Sequence, residues 1–382
     1  MRTLIKNGYV YRTSYENFHP MDVLCEGERI VKLAPRGGIC EDGAEVIDAA
    51  GCALLPGLID VHTHGRDGYD FNSADSEKMQ IMARGYAACG VTTVMPTLAS
   101  APLDEMMASA ERISSFVPTD GGADFCGVHL EGRYLAPEKR GAHALPLLAP
   151  LRAEELENEA LRNAKALHIS AAYELDADGS FSDKARELGA TLGLGHTSAT
   201  FDEARRAEIR GVSAYTHLFN AMPPLHHRDG GAVAACLMGN AYAELICDGI
   251  HIAPEMVRLA YSQKKDRLVL ISDSMEATGA PDGEYSIAGN PVTVKNGKAL
   301  THDGALAGST LTLEKAVQNL MDFCDIPLSK AIICATKAPA KEIGIFNTCG
   351  SIAVGKRADI IFADMNERNF NIRQVMLRGR FI

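Results

Sequence analysis

The middle of the chain alternates short apolar runs with polar, glycine-containing segments and helix-like stretches. Eight apolar or β-branched runs each end in polar residues, and they span residues 58–64, 90–97, 125–131, 166–173, 190–196, 212–220, 241–251 and 267–273. Helix-like stretches cover residues 76–89, 103–115, 153–164, 202–210 and 312–324. Short apolar runs bounded by turn residues are typical of buried strands, whereas a three-to-four-residue apolar spacing is typical of helices.

Eight strand–helix alternations predict an α/β fold with a parallel (β/α)8 TIM-type barrel. The chain ends differ, since residues 3–10, 22–33 and 45–55 and residues 350–354, 358–364 and 375–382 form only short strand-like runs. Chain termini often lie close together, so the two ends can join into one unit. We therefore expect a small β-sandwich domain built from residues 1–55 and 346–382, with the barrel occupying residues 56–345.

Residues 283–304 interrupt the alternation after the last predicted strand. They read as a hairpin-like insertion with Asn296-Gly297 at a turn, a pair that favours tight hairpin turns. Because the insertion follows the eighth run, we expect it to help cover the carboxyl end of the barrel.

Polar residues with metal-binding chemistry close several of the predicted strands. His62 and His64 end the first run, and because side chains alternate along a strand they share one face. The third, fifth, sixth and eighth runs end in Glu131, His196, His217 and Asp273. Each residue alone is more often structural, a hydrogen-bonding histidine or a helix cap. Their joint position at the carboxyl ends of the strands, where barrels carry their chemistry, favours a shared site.

Imidazole and carboxylate groups without thiolates suit a catalytic Zn²⁺ or Fe²⁺ ion with a position left for water. Such an ion lowers the pKa of bound water towards neutrality. A neighbouring carboxylate can then accept a proton and return it to a leaving group. His129 shares the face of Glu131 and is interpreted as a residue that orients the ligands rather than as a ligand.

Composition narrows the class of partners. The chain has 382 residues, 46% of them hydrophobic and 23% charged, and a formal net charge of −11, which argues against nucleic acid or an anionic membrane as a partner. No apolar stretch reaches the roughly 20 residues of a membrane span, and the N-terminus lacks the apolar core of a signal peptide. The ten cysteines are scattered without a Cys-x-x-Cys pair. We expect a cytoplasmic protein with reduced cysteines.

The motif His62-Thr63-His64, the strand-end histidines His196 and His217, and Asp273 resemble the amidohydrolase superfamily, and the resemblance spans essentially the whole chain. Seven further blocks resemble its N-acetylglucosamine-6-phosphate deacetylase family: residues 129–132, 139–143, 195–197, 216–222 running on to 226–228, 248–251, 272–275 and 306–309. The resemblance implies a metal-dependent hydrolase that removes the N-acetyl group from N-acetyl-D-glucosamine 6-phosphate, giving D-glucosamine 6-phosphate and acetate.

The resemblance also implies roles for individual residues. Glu131, His196 and His217 would bind one divalent ion, Zn²⁺ before Fe²⁺, and the presence of both His62 and His64 admits a second ion on that pair and Asp273. Asp273 would be the acid/base, and His143 would polarise the acetamide carbonyl. The residues implied in substrate binding are Ala142, His143, Asn220, Ala221, Arg228, His251, Leu306, Ala307 and Gly308. His251 would reach a phosphate in the neighbouring subunit, which implies a homodimer.

Two features of the sequence bear on alternatives. The fourth run carries no lysine at its end, which argues against relatives that bridge two metals with a carboxylated lysine, and Glu131 can bridge instead. Arg133-Tyr134 stands where the family more often has Pro-Phe, and a role for Arg133 does not follow from the sequence. Other hypotheses are another N-acyl amino sugar phosphate or an N-acyl D-amino acid as substrate, and a barrel retained for binding alone.

Overall fold

The computed structural model describes residues 1–119 and 121–382, and its strands fall into three stretches of the chain. The N-terminal strands are β1 Arg2–Arg12, β2 Asn17–Glu26, β3 Arg29–Pro35, β4 Glu45–Asp48 and β5 Cys52–Pro56. The central strands are β6 Leu58–Thr63, β7 Gly65–Arg66, β8 Tyr69–Asp70, β9 Val91–Leu98, β10 Asp124–Phe125, β11 Val128–Glu131, β12 Leu167–Ala171, β13 Thr191–Leu194, β14 Val212–Tyr215, β15 Tyr242–Ile246, β16 Leu268–Ile271, β17 Gly283–Ile287, β18 Asn290–Lys295 and β19 Lys298–Thr301. The C-terminal strands are β20 Ile360–Asp364, β21 Ile372–Leu377 and β22 Arg380–Phe381.

The helices lie mainly between the central strands and after them. They are α1 Ser76–Ala88, α2 Leu103–Ser115, α3 Glu159–Arg162, α4 Ser180–Glu187, α5 Phe201–Ile209, α6 Gly231–Met238, α7 Pro254–Lys264, α8 Leu313–Cys324, α9 Leu328–Ala331 and α10 Lys337–Glu342. Within the described residues, no helix combines the length and apolar character needed to cross a membrane.

The barrel is built from eight parallel strands, as predicted. The strands β9, β11, β12, β13, β14, β15 and β16 pair in sequence order, and β6 pairs with the other edge of β9. Backbone hydrogen bonds from Asp273 to His62 (2.9 Å) and from His64 to Ser274 (2.8 Å) bring the ends of β6 and β16 together. The near-closed barrel therefore places residues from the first and the eighth strand side by side.

Both chain ends contribute to one further sheet. Its order is β22-β21-β20-β5-β1-β2-β3, with β4 paired to β1. The antiparallel pairing of β20 with β5 joins the C-terminal segment to the N-terminal one. A separate apolar cluster, including Val10, Val23, Leu54 and Phe362, packs on this sheet. The prediction that the two ends build one small β unit beside the barrel is confirmed.

The structure confirms the predicted insertion over residues 283–304 but not the predicted helix over residues 153–164. Residues 283–304 form the expected antiparallel insertion, in which β18 pairs with both β17 and β19. The single helix predicted over 153–164 is wrong, because the chain forms a 3-10 turn at Ala153–Leu156 and then α3. The side chain of Asn158 accepts a hydrogen bond from the backbone N–H of Ala160, so it caps a new helix at this point.

Candidate active site

A cavity of about 320 Å³ opens at the carboxyl ends of the barrel strands. Its lining consists of His64, Glu131, Glu138, Lys139, Gly141, Ala142, His143, His196, His217, Asn220, Ala221, Ile246, His251, Asp273, Ile287, Leu306, Ala307 and Gly308. Among the residues predicted for the site, His62 lies just beneath this lining and Arg228 lies outside it. The structure thus brings residues from many separate strand ends to one place, which is where parallel barrels carry their chemistry.

Glu131 lies between two pairs of histidines. Its Oε1 atom is 2.8 Å from Nε2 of His217 and 3.1 Å from Nε2 of His196. Its Oε2 atom is 2.9 Å from Nε2 of His64 and 3.2 Å from Nε2 of His62. One carboxylate therefore faces both sets of predicted ligands, a geometry that suits a bridge between two cation positions.

Asp273 completes the side of the site nearest to the first strand. Its Oδ1 atom lies 3.4 Å from Nε2 of His64 and 3.6 Å from Nε2 of His62. The Asp273 side chain is 11% exposed, whereas those of His62 and Glu131 are almost fully buried. Asp273 is thus placed where it can face both the histidine pair and a molecule in the cavity.

The donor set fits a divalent cation. The ligand atoms of His62, His64 and Glu131 lie within 4.8 Å of one another, and so do those of Glu131, His143 and His196. Nε2 of His62 is buried without a hydrogen-bond partner although two carboxylates face it. Nitrogen and oxygen donors converging without thiolates are the ligands of catalytic zinc or non-haem iron.

The protonation energetics of the site also favour a cation. Burial opposes charge on His64, but hydrogen bonds to Asp273 and Glu131 raise its pKa to about 9. Burial likewise opposes ionisation of Glu131, yet the charge of His62 and hydrogen bonds from His196 and His217 hold the pKa of Glu131 well below its usual range. The two carboxylates thus draw positive charge into the site, and a metal ion can replace the protons on the histidines.

Three of the predicted metal ligands have a left-handed backbone. The φ angles are 47° at His196, 33° at His217 and 47° at Asp273, and each residue lies two positions beyond the end of its strand. This region is uncommon for residues other than glycine and costs on the order of 1–3 kcal/mol each. The turn ends the strand abruptly and directs the side chain into the cavity. Such strain at three strand ends of one cavity is typical of a functional site.

Neighbouring groups fix the tautomers of two histidines. Nδ1 of His143 accepts the backbone N–H of Ser100 at 3.3 Å and lies 2.8 Å from the Ser100 hydroxyl, so Nε2 carries the proton. Nδ1 of His196 donates to the backbone carbonyl of Lys139 at 2.7 Å, so Nε2, 3.1 Å from Oε1 of Glu131, is the nitrogen left to face the cavity. His143 is thereby a donor towards the cavity, and His196 keeps the role predicted for it as a metal ligand.

The predicted substrate residues differ in their placement. Ala142, Asn220, Ala221, Leu306, Ala307 and Gly308 line the cavity together with His143. His251 lines the cavity of its own chain, and its Nδ1 is held by Asp248 at 2.6 Å. Arg228 is exposed, and its guanidinium contacts Nε2 of the adjacent His227 at 2.7 Å. The structure therefore leaves Arg228 outside the cavity of its own chain.

Sequence reasoning missed three charged residues of the site, namely Glu138 and Lys139, which line the cavity, and Glu244, which contacts a predicted ligand. Of the described residues that line the cavity, Lys139 is the only lysine or arginine, and its Nζ atom donates to the Met222 carbonyl at 3.3 Å, beside Asn220 and Ala221. Glu244 lies on β15 and contacts the ring of His62. The sequence signal that could have identified Glu244 is a glutamate within the otherwise apolar run of residues 241–247.

His129 contacts the ring of His62, and the role predicted for it, orienting the ligands, stays a prediction. Its Nδ1 lies 3.1 Å from the Thr97 hydroxyl and its Nε2 lies 2.8 Å from the Ser170 hydroxyl, so both nitrogens are engaged. Its ring packs edge-on against His62, with centroids 4.6 Å apart. His129 thus supports His62 by packing and has no nitrogen free for a metal.

A parallel barrel with histidines and carboxylates gathered at its strand ends defines a hydrolase of the metal-dependent class. The chain belongs to the amidohydrolase family, whose model matches residues 53–382. It is 34% identical to N-acetylglucosamine-6-phosphate deacetylase of Vibrio furnissii, over 89% of this chain and 85% of that protein. It is also 34% identical to N-acetylgalactosamine-6-phosphate deacetylase of Escherichia coli O157:H7, over 86% and 87% respectively. The solved N-acetylglucosamine-6-phosphate deacetylase of Pasteurella multocida superposes with a TM-score of 0.91, at 28% identity over the full length of both chains.

Proposed function

We propose that the protein removes the N-acetyl group from N-acetyl-D-glucosamine 6-phosphate by hydrolysis, giving D-glucosamine 6-phosphate and acetate. The observation that carries this proposal is Glu131 between two histidine pairs, with Asp273 beside it in a cavity large enough for a sugar. The names of the Vibrio furnissii and Pasteurella multocida relatives support the substrate.

The metal would be held by Glu131, His196 and His217, with His62, His64 and Asp273 as the place for a second ion. We propose Zn²⁺, with Fe²⁺ as the alternative that the same donors accept. When bound, such an ion polarises a carbonyl and lowers the pKa of a coordinated water.

The residues of the chain supply the remaining chemistry. His143 presents Nε2–H to the cavity and would donate it to the acetamide oxygen, where negative charge develops as water adds. Asp273, held ionised by its histidine neighbours, would take the proton from the attacking water and pass it to the departing amine. Ile287 and residues 306–308 line the cavity and would exclude bulk water from the reacting groups.

The phosphate would be held next to Asn220 and the Ala221 backbone, with Lys139 as the cation from the same chain. Lysine provides a point charge and three donors for a phosphate, which suits a single residue at the edge of a pocket. We further propose a homodimer in which Arg228 and His251 complete a phosphate site across the subunit interface. A cytoplasmic location would match the phosphorylated substrate.

An assay of acetate release from phosphorylated and unphosphorylated N-acetylglucosamine tests this function. We expect a much higher kcat/KM on the phosphorylated sugar, and equal turnover of the two would contradict the phosphate assignment. The metal content per subunit should be measured on the same protein, purified without added metal or chelator. That measurement separates an inactive metal-free preparation from a wrong substrate.

Substitution of Lys139 should weaken binding of the phosphorylated sugar specifically. We expect Lys139→Ala to raise KM about 10-fold or more, because a charge-assisted hydrogen bond contributes roughly 1.5–3 kcal/mol. Lys139→Arg should retain most of the affinity. Arg140→Ala is the matched control, since Arg140 is exposed and does not line the cavity. An unchanged KM in Lys139→Ala would show that the phosphate lies elsewhere.

N-acetylgalactosamine 6-phosphate is a second candidate substrate. The identity to the Escherichia coli N-acetylgalactosamine-6-phosphate deacetylase equals that to the Vibrio furnissii enzyme. The two sugars differ only in the orientation of the 4-hydroxyl, so the same metal site serves both. Comparison of kcat/KM on the two phosphorylated sugars decides between them, and a preference for the galacto sugar would replace the first proposal.

A further inference from the structure

Glu244 is a buried carboxylate in the barrel interior for which the proposed reaction has no use. It lies on β15, and its side chain is fully shielded from solvent. An ionised carboxylate in such a place is costly unless hydrogen bonds compensate for its lost hydration. Its contacts therefore indicate why the barrel retains it.

The hydrogen bonds that the Glu244 carboxylate accepts both come from predicted metal ligands. Its Oε2 atom accepts a hydrogen bond from Nδ1 of His62 at 3.1 Å and one from the backbone N–H of His217 at 3.4 Å. Its backbone carbonyl accepts the N–H of Leu218 at 2.8 Å. One residue thus connects the ring of His62 on the first strand with the strained turn that carries His217.

The hydrogen bond to Glu244 decides which nitrogen of His62 is available. Because Nδ1 donates to Glu244, Nε2 is the nitrogen that faces Glu131 and Asp273 and the one that an ion can bind once it displaces a proton there. Among the described residues, Glu244 is the only hydrogen-bond partner of the His62 ring, since Nε2 has none and His129 only packs against it. Without Glu244 the ring could adopt the other tautomer or rotate.

The rest of the Glu244 environment does not account for a carboxylate. Its Oε1 atom has no hydrogen-bond partner, and Nε2 of His168 is 3.7 Å away. A leucine of similar size would avoid this half-satisfied burial, so a role in fold stability alone does not explain the residue. Carboxylates that accept the second N–H of a metal-binding histidine are a recurrent device for fixing such ligands.

We propose that Glu244 is a positioning residue that holds His62 for a divalent ion at the His62–His64 pair. It fixes the tautomer and direction of His62 and ties this pair to the strand end that bears His217. This inference rests on the metal site of the proposed function but not on its substrate. It makes occupancy of the His62–His64 position depend on a residue that no ion touches.

Metal binding to Glu244 variants tests the inference. Wild type, Glu244→Leu and Glu244→Gln would be stripped of metal and titrated with Zn²⁺ against a chelator of known affinity, with metal content per subunit counted by mass spectrometry. We expect Glu244→Leu to lose 10- to 100-fold in affinity for one of two ions and to retain the other. Glu244→Gln should recover part of the loss, because its amide oxygen can still accept the N–H of His62.

Glu342→Leu provides the matched control. Glu342 is also a buried glutamate at the barrel, on α10, and its charge acts on Glu244 and His62, but within the described residues its carboxylate forms no hydrogen bond with either. This variant should bind both ions like wild type. If Glu244→Leu does not fold, the isosteric Glu244→Gln still reports a weakened ion, and circular dichroism confirms its fold.

Several outcomes would overturn the inference. They are equal binding of two ions by wild type and Glu244→Leu, equal losses in Glu244→Leu and Glu342→Leu, or a wild type with one ion whose affinity Glu244→Leu leaves unchanged. The metal titrations use no substrate, so they test Glu244 independently of the reaction. A wild type that binds two ions but does not deacetylate the phosphorylated sugar would refute the proposed function and leave the role of Glu244 intact.

Discussion

Asp273 has the position and the charge state that a proton carrier needs. Burial opposes its ionisation, but His62 and His64 lower its pKa below the usual value, so it is an acceptor at neutral pH. We expect Asp273→Asn to reduce kcat by roughly 10²–10⁴-fold, because the amide cannot take up a proton. The ion on Glu131, His196 and His217 should remain. Acetate release and metal content measured on the same sample check this, and wild-type activity would exclude Asp273 as the acid/base.

His143 is expected to act as a neutral donor throughout the working pH range. Burial, with a smaller contribution from His196, lowers the pKa of His143 to about 3, so its ring is uncharged near neutrality. We expect His143→Gln to lower kcat by on the order of 10²–10³-fold, as for the loss of one oxyanion donor. Since His143 does not titrate there, the pH–rate profile between about pH 5 and 9 should keep its shape. An acidic limb that vanishes in the variant would contradict this role.

At the scale of elements, the insertion β17–β19 forms one wall of the site. Ile287 at the end of β17 lines the cavity, and the side-chain amide of Asn290 at the start of β18 donates to the Ala142 carbonyl at 2.5 Å. This bond connects the insertion to the segment that carries His143. The insertion thereby links the cover of the cavity to the residue expected to polarise the substrate.

Asn290→Ala should loosen that connection without changing the chemistry. Loss of one hydrogen bond costs about 1 kcal/mol, so we expect KM to rise about five-fold with kcat nearly unchanged. Thr293→Ala is the control, because Thr293 lies on the same strand and its hydroxyl bonds the exposed Glu284. Steady-state kinetics of both variants provide the measurement. A similar change in the two variants would mean that Asn290 acts only through the stability of the insertion.

The elements were more predictable than the contacts within the site. Apolar runs marked all eight barrel strands, and Asn296-Gly297 marked the turn between β18 and β19, because burial and turn chemistry are local properties of sequence. The helix over 153–164 failed because the cap at Asn158 outweighed its apolar spacing. Glu244 and Ser100 escaped notice because their importance lies in partners far away in the chain, at His62 and His143.

At the scale of the whole molecule, the net charge has the wrong sign to attract an anionic substrate. The chain carries a formal net charge of −11, and its cavity contains three carboxylates, so the bulk field does not attract a sugar phosphate. Attraction must come from the metal and from a few local donors such as Lys139. Binding of the phosphorylated sugar is therefore a local property of the cavity, which net charge alone does not reveal.

The barrel interior should make the protein sensitive to acid. His168 is fully buried beside β13, where its Nδ1 lies 2.8 Å from the Thr191 hydroxyl, and burial lowers its pKa to about 4. An unfolded chain binds a proton at this residue below its ordinary pKa of about 6.5, whereas the folded protein does not until about pH 4. Its contribution to stability is therefore complete above pH 6.5 and is lost as the pH falls towards 4.

We expect His168→Gln to remove this pH dependence. The wild type should lose up to about 3 kcal/mol more of its unfolding free energy than the variant between about pH 6.5 and 4. Urea unfolding of both proteins in chelator, at matched pH values, measures the difference and keeps metal binding out of the comparison. His302→Gln, which replaces an exposed histidine, is the control. Parallel stability curves for wild type and His168→Gln would contradict this, because they would mean that His168 binds a proton equally in the folded and unfolded states and that unfolding takes up none at this residue.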